Sequence, residues 1–279
     1  MLRLFLMNFF LLTTVGTKSG ENNQTINYLL FPTVEKIAPE SEIRKVSGIL
    51  DDSISRSAKF FKKSSKSDSS QKTNCQDTGA PFTESERQIF LDKHNAYRSQ
   101  LALGQSQFPD GSFASSAANM VKMTYSCDLE KIAQNWTNNC KFEHSPPPYR
   151  NAGENIYALY TGTNGNWRET IISEPSDVWW AELKKYGGIT QTNVNLTWDV
   201  FSKGIGHWSQ MAWAASTTIG CGWTECPQGN GMVMHLVVCN YRPAGNFLNE
   251  NIYEIGNPCS NCNQLPNSQC EVNTGLCLT

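Results

Sequence analysis

The fold turns on one stretch, Thr217 to Tyr241, which reads TTIGCGWTECPQGNGMVMHLVVCNY. Its two halves, TTIGCGWTEC and MVMHLVVCNY, flank PQGNG, a turn-forming stretch, and together they predict an antiparallel hairpin. The second half is apolar almost throughout instead of alternating, and such a strand needs cover on both sheet faces. Helices before and around the hairpin can supply it. The fold class that follows is α+β, a three-layer α-β-α sandwich with a central antiparallel sheet.

Three helices are legible upstream. Order begins at Thr83, where TESE sets a capping box: Thr83 supplies the N-cap oxygen and Glu86 the return bond. Ile89, Phe90, Tyr97 and Leu101 make the apolar stripe of the helix that follows, with His94 on the same side and Gly104 at its end. In CDLEKIAQNWTNNC, Leu129, Ile132, Ala133, Trp136 and Cys140 recur at intervals of three and four, so a second helix has one buried face. A third begins near Ser176, runs through DVWWAELKKYG and stops at Gly187. Trp179, Trp180, Trp208, Met211 and Trp213 are expected to pack in the core, the rings because aromatics dominate burial. His94 and His235 are expected to pack there too.

At 279 residues the chain exceeds the common domain size, about 100 to 150 residues, which leaves room for appendages. Residues 1–17 place Arg3 ahead of an apolar run from Leu4 to Leu12 and read as a secretory signal peptide. No later segment is long and apolar enough to span a bilayer. Residues 18–81 read as a disordered polar and basic extension whose end, SISRSAKFFKKSSKSDSSQK, sets six Lys/Arg against one Asp. The net charge of −2 argues against a nucleic-acid partner. Secretion puts the ten cysteines in an oxidising compartment, so five disulfides are expected. It also makes Asn23, Asn135 and Asn195 candidate glycosylation sites. Residues 254–279 hold four cysteines and little apolar material, so bridges, and no core of its own, should hold this extension.

His144 in FEHSPPP and His207 in GIGHWSQMAW stand in loops or at helix starts, and Glu154 in AGENIYA and Glu182 in WWAELKKYG have similarly distinctive settings. Two imidazoles and two carboxylates can ligate zinc or copper, or share protons. A hydrogen-bonded polar cleft that braces loops is the plainer reading. Ser209 lies two residues beyond His207, off its helical face, and no HExxH or GxSxG is present, which argues against a protease.

The chain resembles the CAP superfamily of cysteine-rich secretory proteins, insect antigen 5 and plant pathogenesis-related proteins. The likeness rests on HNAYR (His94 to Arg98), GENIY with Glu154, GHWSQMAW, and HLVVCNYRPAGNF (His235 to Phe247), in the family's order across residues 82–253. The leader, the CDLE helix and the cysteine-rich end look most like the venom-allergen-like, activation-associated secreted proteins of parasitic nematodes. The resemblance implies the same α-β-α sandwich, and it implies a cleft tetrad of His144, Glu154, Glu182 and His207. Such tetrads hold zinc in some members and nothing in others, so zinc or another divalent metal is admissible and none is obligatory.

By the same resemblance Cys140 pairs with Cys226, Cys221 with Cys239, Cys259 with Cys270 and Cys262 with Cys277, leaving Cys75 for Cys127. The function it implies is a secreted, non-enzymatic binder of sterol, fatty acid or host proteins, with host immunomodulation by a parasite as its setting. A metal-dependent hydrolase using the tetrad is the alternative. The Gly- and Asn-rich stretch from Tyr160 to Trp167 is expected to be a mobile rim of the cleft.

Overall fold

The computed structural model describes residues 75–262 and 268–278. The expected signal peptide, most of the basic extension and the Asn23 sequon lie outside the described residues. Helix α1 spans Glu84–Ala102 and begins at the capping box: the Glu86 amide donates to Thr83 Oγ1 and the Thr83 amide to Glu86 Oε2. Strand β1 (Thr124–Tyr125) leads into α2 (Cys127–Thr137), and the short α3 (Pro147–Arg150) into β2 (Gly153–Gly162). Then come α4 (Arg168–Tyr186), α5 (Trp198–Phe201), α6 (Gly206–Ala212), β3 (Thr218–Gly229) and β4 (Met232–Arg242), with the small hairpin of β5 (Gln269–Glu271) and β6 (Leu276–Leu278) last.

The sheet order is β1-β3-β4-β2. Its three long strands are antiparallel, as expected, but β1 joins β3 in parallel, so the sheet is mixed at that edge. The reason is connective: α2 carries the chain away from β1, so β1 need not turn straight back. Strand β4 is covered on both faces. Met234, Leu236 and Val238 pack with Ala133 and Ile156 beneath α2, whereas Val237, Cys239 and Tyr241 join the larger core with residues of α1, α4 and α6. These are the three layers.

Two glycines of β3 bring α2 onto the sheet. A Cβ on Gly220 would stand 2.3 Å from the Glu130 amide nitrogen, and one on Gly222 would stand 2.4 Å from that of Gln134. Four helical residues rise about 6 Å and two strand residues span about 6.6 Å, so the two repeats stay in step. The helix therefore lies on bare strand backbone. Its buried face holds Glu130, Gln134 and Thr137 beside Leu129 and Ala133, whereas Ile132 and Trp136 are only half-buried. Glu130 accepts two bonds from Arg87, at 2.6 and 2.8 Å, one from the Tyr125 hydroxyl at 2.7 Å, and one from Thr78. That pairing makes a fully buried carboxylate tolerable.

Three expectations need correction. Ile89 is exposed, and the buried face of α1 runs instead through Arg87, Phe90, His94, Arg98 and Leu101. Helix α4 starts at Arg168 rather than near Ser176, with Pro175 inside it, and burial of Ile171 and Ile172 holds the turns before the proline. The C-terminal extension is joined to the core: Leu276 is 1% exposed and belongs to the main cluster. The Cys277 amide donates to the Met120 carbonyl and the Lys122 amide to the Cys277 carbonyl, docking β6 as an added edge.

The disulfides are Cys75–Cys127, Cys140–Cys226, Cys221–Cys239, Cys259–Cys270 and Cys262–Cys277, the pairs that the resemblance implies. Asn135 is exposed on α2. The Asn195 side-chain Nδ2 donates to the Asn249 carbonyl and to Asn251 Oδ1, at 2.9 and 3.3 Å.

Candidate functional site

The stretch GHWSQMAW forms α6, and residues from the other three quoted motifs close around it. From HNAYR, the buried Arg98 guanidinium donates five bonds, all to backbone carbonyls: Val121, Met211, Trp213, Ala214 and Ser216. Two of these are at the C-terminal end of α6, where a cation suits the helix dipole. Burial pushes the Arg98 pKa down to about 9. From GENIY, Asn155 reaches the His207 carbonyl at 3.0 Å, and Gly153 leaves space that Gln210 fills, since a Cβ there would lie 1.9 Å from Gln210 Oε1. From HLVVCNYRPAGNF, the Gly245 amide donates to Gln210 Oε1, and Asn246 donates to the Gly206 carbonyl while accepting from Ser209. Trp208 and Met211 are wholly buried and Trp213 nearly so.

Two histidine–carboxylate pairs lie beside this helix. His207 Nδ1 is 2.6 Å from Glu182 Oε1, and Glu182 Oε2 accepts the Trp208 amide at 2.9 Å, so one carboxylate from α4 holds both the ring and the first turn of α6. The Trp179 ring stacks on the His207 ring with centroids 5.9 Å apart. His144 Nδ1 is 2.8 Å from Glu154 Oε1, which also accepts the Ser145 amide at 2.8 Å, while Oε2 accepts the Ser145 hydroxyl at 2.6 Å. Arg150 stands 3.8 Å from the same carboxylate. The Glu154 side chain is fully buried, whereas the rings of His144 and His207 keep 20% and 18% of their surface.

In both pairs a carboxylate oxygen is the acceptor, so Nδ1 carries a hydrogen, and the lone pair of such a ring in its neutral form is on Nε2. Neither Nε2 has a hydrogen-bond partner among the described residues. This is how a second carboxylate prepares an imidazole for a metal. The carboxylates themselves are committed as acceptors. Among the described residues the three ligand atoms brought within 4.8 Å of one another are those of Cys259, Cys262 and Cys277, all in disulfides, and no such set comes from the four cleft residues. The four cleft residues thus form no closed protein cage; what they offer a divalent ion is two imidazole nitrogens.

Ser209 is buried and donates to Asn246 Oδ1 at 2.6 Å and to the Gly206 carbonyl, which leaves it no part as a nucleophile at His207. His94 is wholly buried between the Phe90 carbonyl and the Tyr241 hydroxyl, and burial pushes its pKa down to about 3. His235 packs against Trp223 and bonds Thr161. The stretch Tyr160 to Trp167 does not flank the cleft: Tyr160 stands six residues along β2 from Glu154, about 20 Å away at strand rise. Sequence reasoning missed Asn155, Ser145 and the role of Arg98. Their signals were present in GENIY, HSPPP and HNAYR, but partners more than fifty residues away decide two of the three.

Residues 91–241 match the model of "CAP: Cysteine-rich secretory protein family". The chain belongs to this family. It is 37% identical over 199 residues to the Ancylostoma secreted protein of Ancylostoma caninum, across 70% of this chain and 45% of that one. It is 34% identical to Venom allergen 3 of Solenopsis invicta, across 62% of this chain and 74% of that one. The chain spans about half the length of the Ancylostoma protein and of a Tityus serrulatus cysteine-rich venom protein, at 45% and 48%. Among solved structures it is similar to NaASP2 with Zn2+ (38% identity, TM-score 0.62, 73% of this chain and 99% of that one). It is also similar to BmVAL-1 (36% identity, TM-score 0.65, 72% and 97%). No helix among the described residues is long and apolar enough to cross a membrane.

Proposed function

We propose that this protein is a secreted, non-enzymatic binder whose cleft takes zinc or another divalent ion on His144 and His207. Glu154 and Glu182 orient the rings from behind. The observation that carries the reading is the pair of imidazoles, each tied at Nδ1 to a carboxylate and each with no Nε2 partner among the described residues. The similar NaASP2, solved with Zn2+, supports it. When bound, the ion would supply charge and open coordination positions for a ligand. Hydrolysis is disfavoured because both carboxylates are engaged, Ser209 is bonded away, and catalytic zinc sites ordinarily draw on three protein ligands.

The larger role is binding sterol, fatty acid or host proteins outside the cell, with host immunomodulation by a parasite as its setting; the likeness to the Ancylostoma secreted protein supports the extracellular part of this reading. Zinc titration of the purified protein tests the metal reading: we expect one ion per chain, lost on His144→Ala or His207→Ala. Mass spectrometry of a lipid extract tests the apolar ligand, and an empty extract with no uptake of cholesterol or palmitate would leave host proteins as the partners. Zinc-dependent peptide turnover abolished by Glu182→Gln would overturn the non-enzymatic reading.

A further inference from the structure

We infer that Asn155 is a positioning residue for His207, and that the neighbours Glu154 and Asn155 anchor the two cleft histidines separately, one from each face of β2. The metal-affinity arm of the inference rests on the reading of His144 and His207 as ligands.

Successive strand side chains point to opposite faces. Glu154 goes to the His144 ring and Ser145, whereas Asn155 goes to the His207 carbonyl at 3.0 Å and the Tyr241 hydroxyl at 3.2 Å. One dipeptide step thus splits its two side chains between the two halves of the site. Asn155 is 1% exposed and so closed off from bulk solvent.

The direction of the chain behind it follows from what each atom can do. The Phe90 carbonyl only accepts, so His94 Nδ1 carries the hydrogen. The ring is neutral, and its Nε2 accepts from the Tyr241 hydroxyl at 2.8 Å. The Tyr241 oxygen is then free to accept one Asn155 N–H, and the other N–H goes to the His207 carbonyl. The reversed amide would set oxygen against a carbonyl oxygen, so only one orientation works. Aspartate has the same shape and no donor. Asn155 Oδ1 is buried with no partner among the described residues, a desolvation cost that a leucine would not carry. The position is therefore used for its two donors.

With Glu182 on Nδ1, Trp179 on the ring face and Asn155 on the carbonyl, the His207 side chain and backbone are both held, and the direction of Nε2 is set. Without Asn155, the first turn of α6 keeps Glu182 on the Trp208 amide and Asn246 on the Gly206 carbonyl but loses its tie at His207 itself, so the ring is less firmly directed.

The chain has four histidines, so the imidazole nitrogens can be assigned by 15N NMR of the metal-free protein at fixed pH. In Asn155→Leu and in Asn155→Asp we expect the His207 signals to move toward mixed tautomers, those of His144 to stay, and zinc affinity to fall about tenfold. Glu154→Gln should do the reverse, moving His144 and sparing His207. Tyr241→Phe cuts the chain one step back and should give a smaller shift at His207, which keeps the test alive if Asn155→Leu does not fold. Val238→Ala, a buried core change outside the chain, should move neither ring. Unchanged His207 signals in both Asn155 variants would overturn the inference, as would equal shifts in Val238→Ala. If the native protein takes up no zinc, the metal reading fails while the nitrogen shifts still decide the role of Asn155.

Discussion

The body of the domain and its C-terminal tail hold together by different means. In the body, α2 lies on bare backbone at Gly220 and Gly222, and a buried arginine of α1 donates to five carbonyls, two at the end of α6 and the others at Val121, Ala214 and Ser216. In the tail, two disulfides clasp a hairpin of two three-residue strands, with closing separations of 11 and 15 residues. Yet the tail is no detached knot. Leu276 enters the main core, and β6 exchanges two backbone bonds with residues 120–122. Disulfides shape the tail, while Leu276, the two backbone bonds of β6, the Lys122–Glu271 ion pair and the Ser99 hydroxyl on the Thr274 carbonyl together fix where it sits.

The largest expected effect separates the two regions outright. Gly222→Ala puts a methyl group into the Gln134 backbone, with no flexible neighbour to yield. It should cost more than about 4 kcal/mol, and denaturant unfolding should show the body failing while a tail-only change does not. A loss below 1 kcal/mol, on the order of a surface substitution, would mean that α2 is free to lift.

Leu276→Ala comes next, at about 2 to 5 kcal/mol against tail docking. Hydrogen exchange should quicken at Cys277 and Lys122 and hardly change in β4. Mild reduction sharpens the point. Cys259–Cys270, with Cys270 exposed, should open early, and the native tail should stay docked where the Leu276→Ala tail is clipped by protease. Equal clipping of both proteins would show that the bridges alone hold it.

The smallest effect is a slope with pH, and it belongs to the body. Burial pushes His94 from 6.5 down to about 3. The unfolded chain takes up that proton below 6.5 and the folded one resists, so stability is full above pH 6.5 and falls as pH drops toward 3. The slope is at most about 1.4 kcal/mol per pH unit. Urea midpoints at pH 7 and pH 5 should differ less in His94→Asn than in the native protein.

Much of the fold was legible because its signals are local. The capping box at Thr83, the hairpin around PQGNG and the stop at Gly187 each follow from neighbours in sequence. The start of α4 was not, because Pro175 reads as a break until burial of Ile171 and Ile172 is known. The face of α2 was misjudged in part, since Glu130 and Gln134 look like surface residues until Arg87, Tyr125 and the Trp223 amide arrive as partners. In the site, the types His144, Glu154, Glu182 and His207 stood out. Their pairing into two couples, and the spending of the carboxylates as acceptors, did not.

By itself the sequence determined the periodicities, the caps, the turn residues and the chemical groups available, because these depend on neighbours a few residues apart. The tertiary structure alone decided which long-range partner each group meets: Arg98 with the end of α6, Leu276 with the core, Asn155 with His207. Those choices depend on strand register and close helix approach. A side chain buried by such contacts must satisfy its polar atoms with whatever the fold has placed beside it.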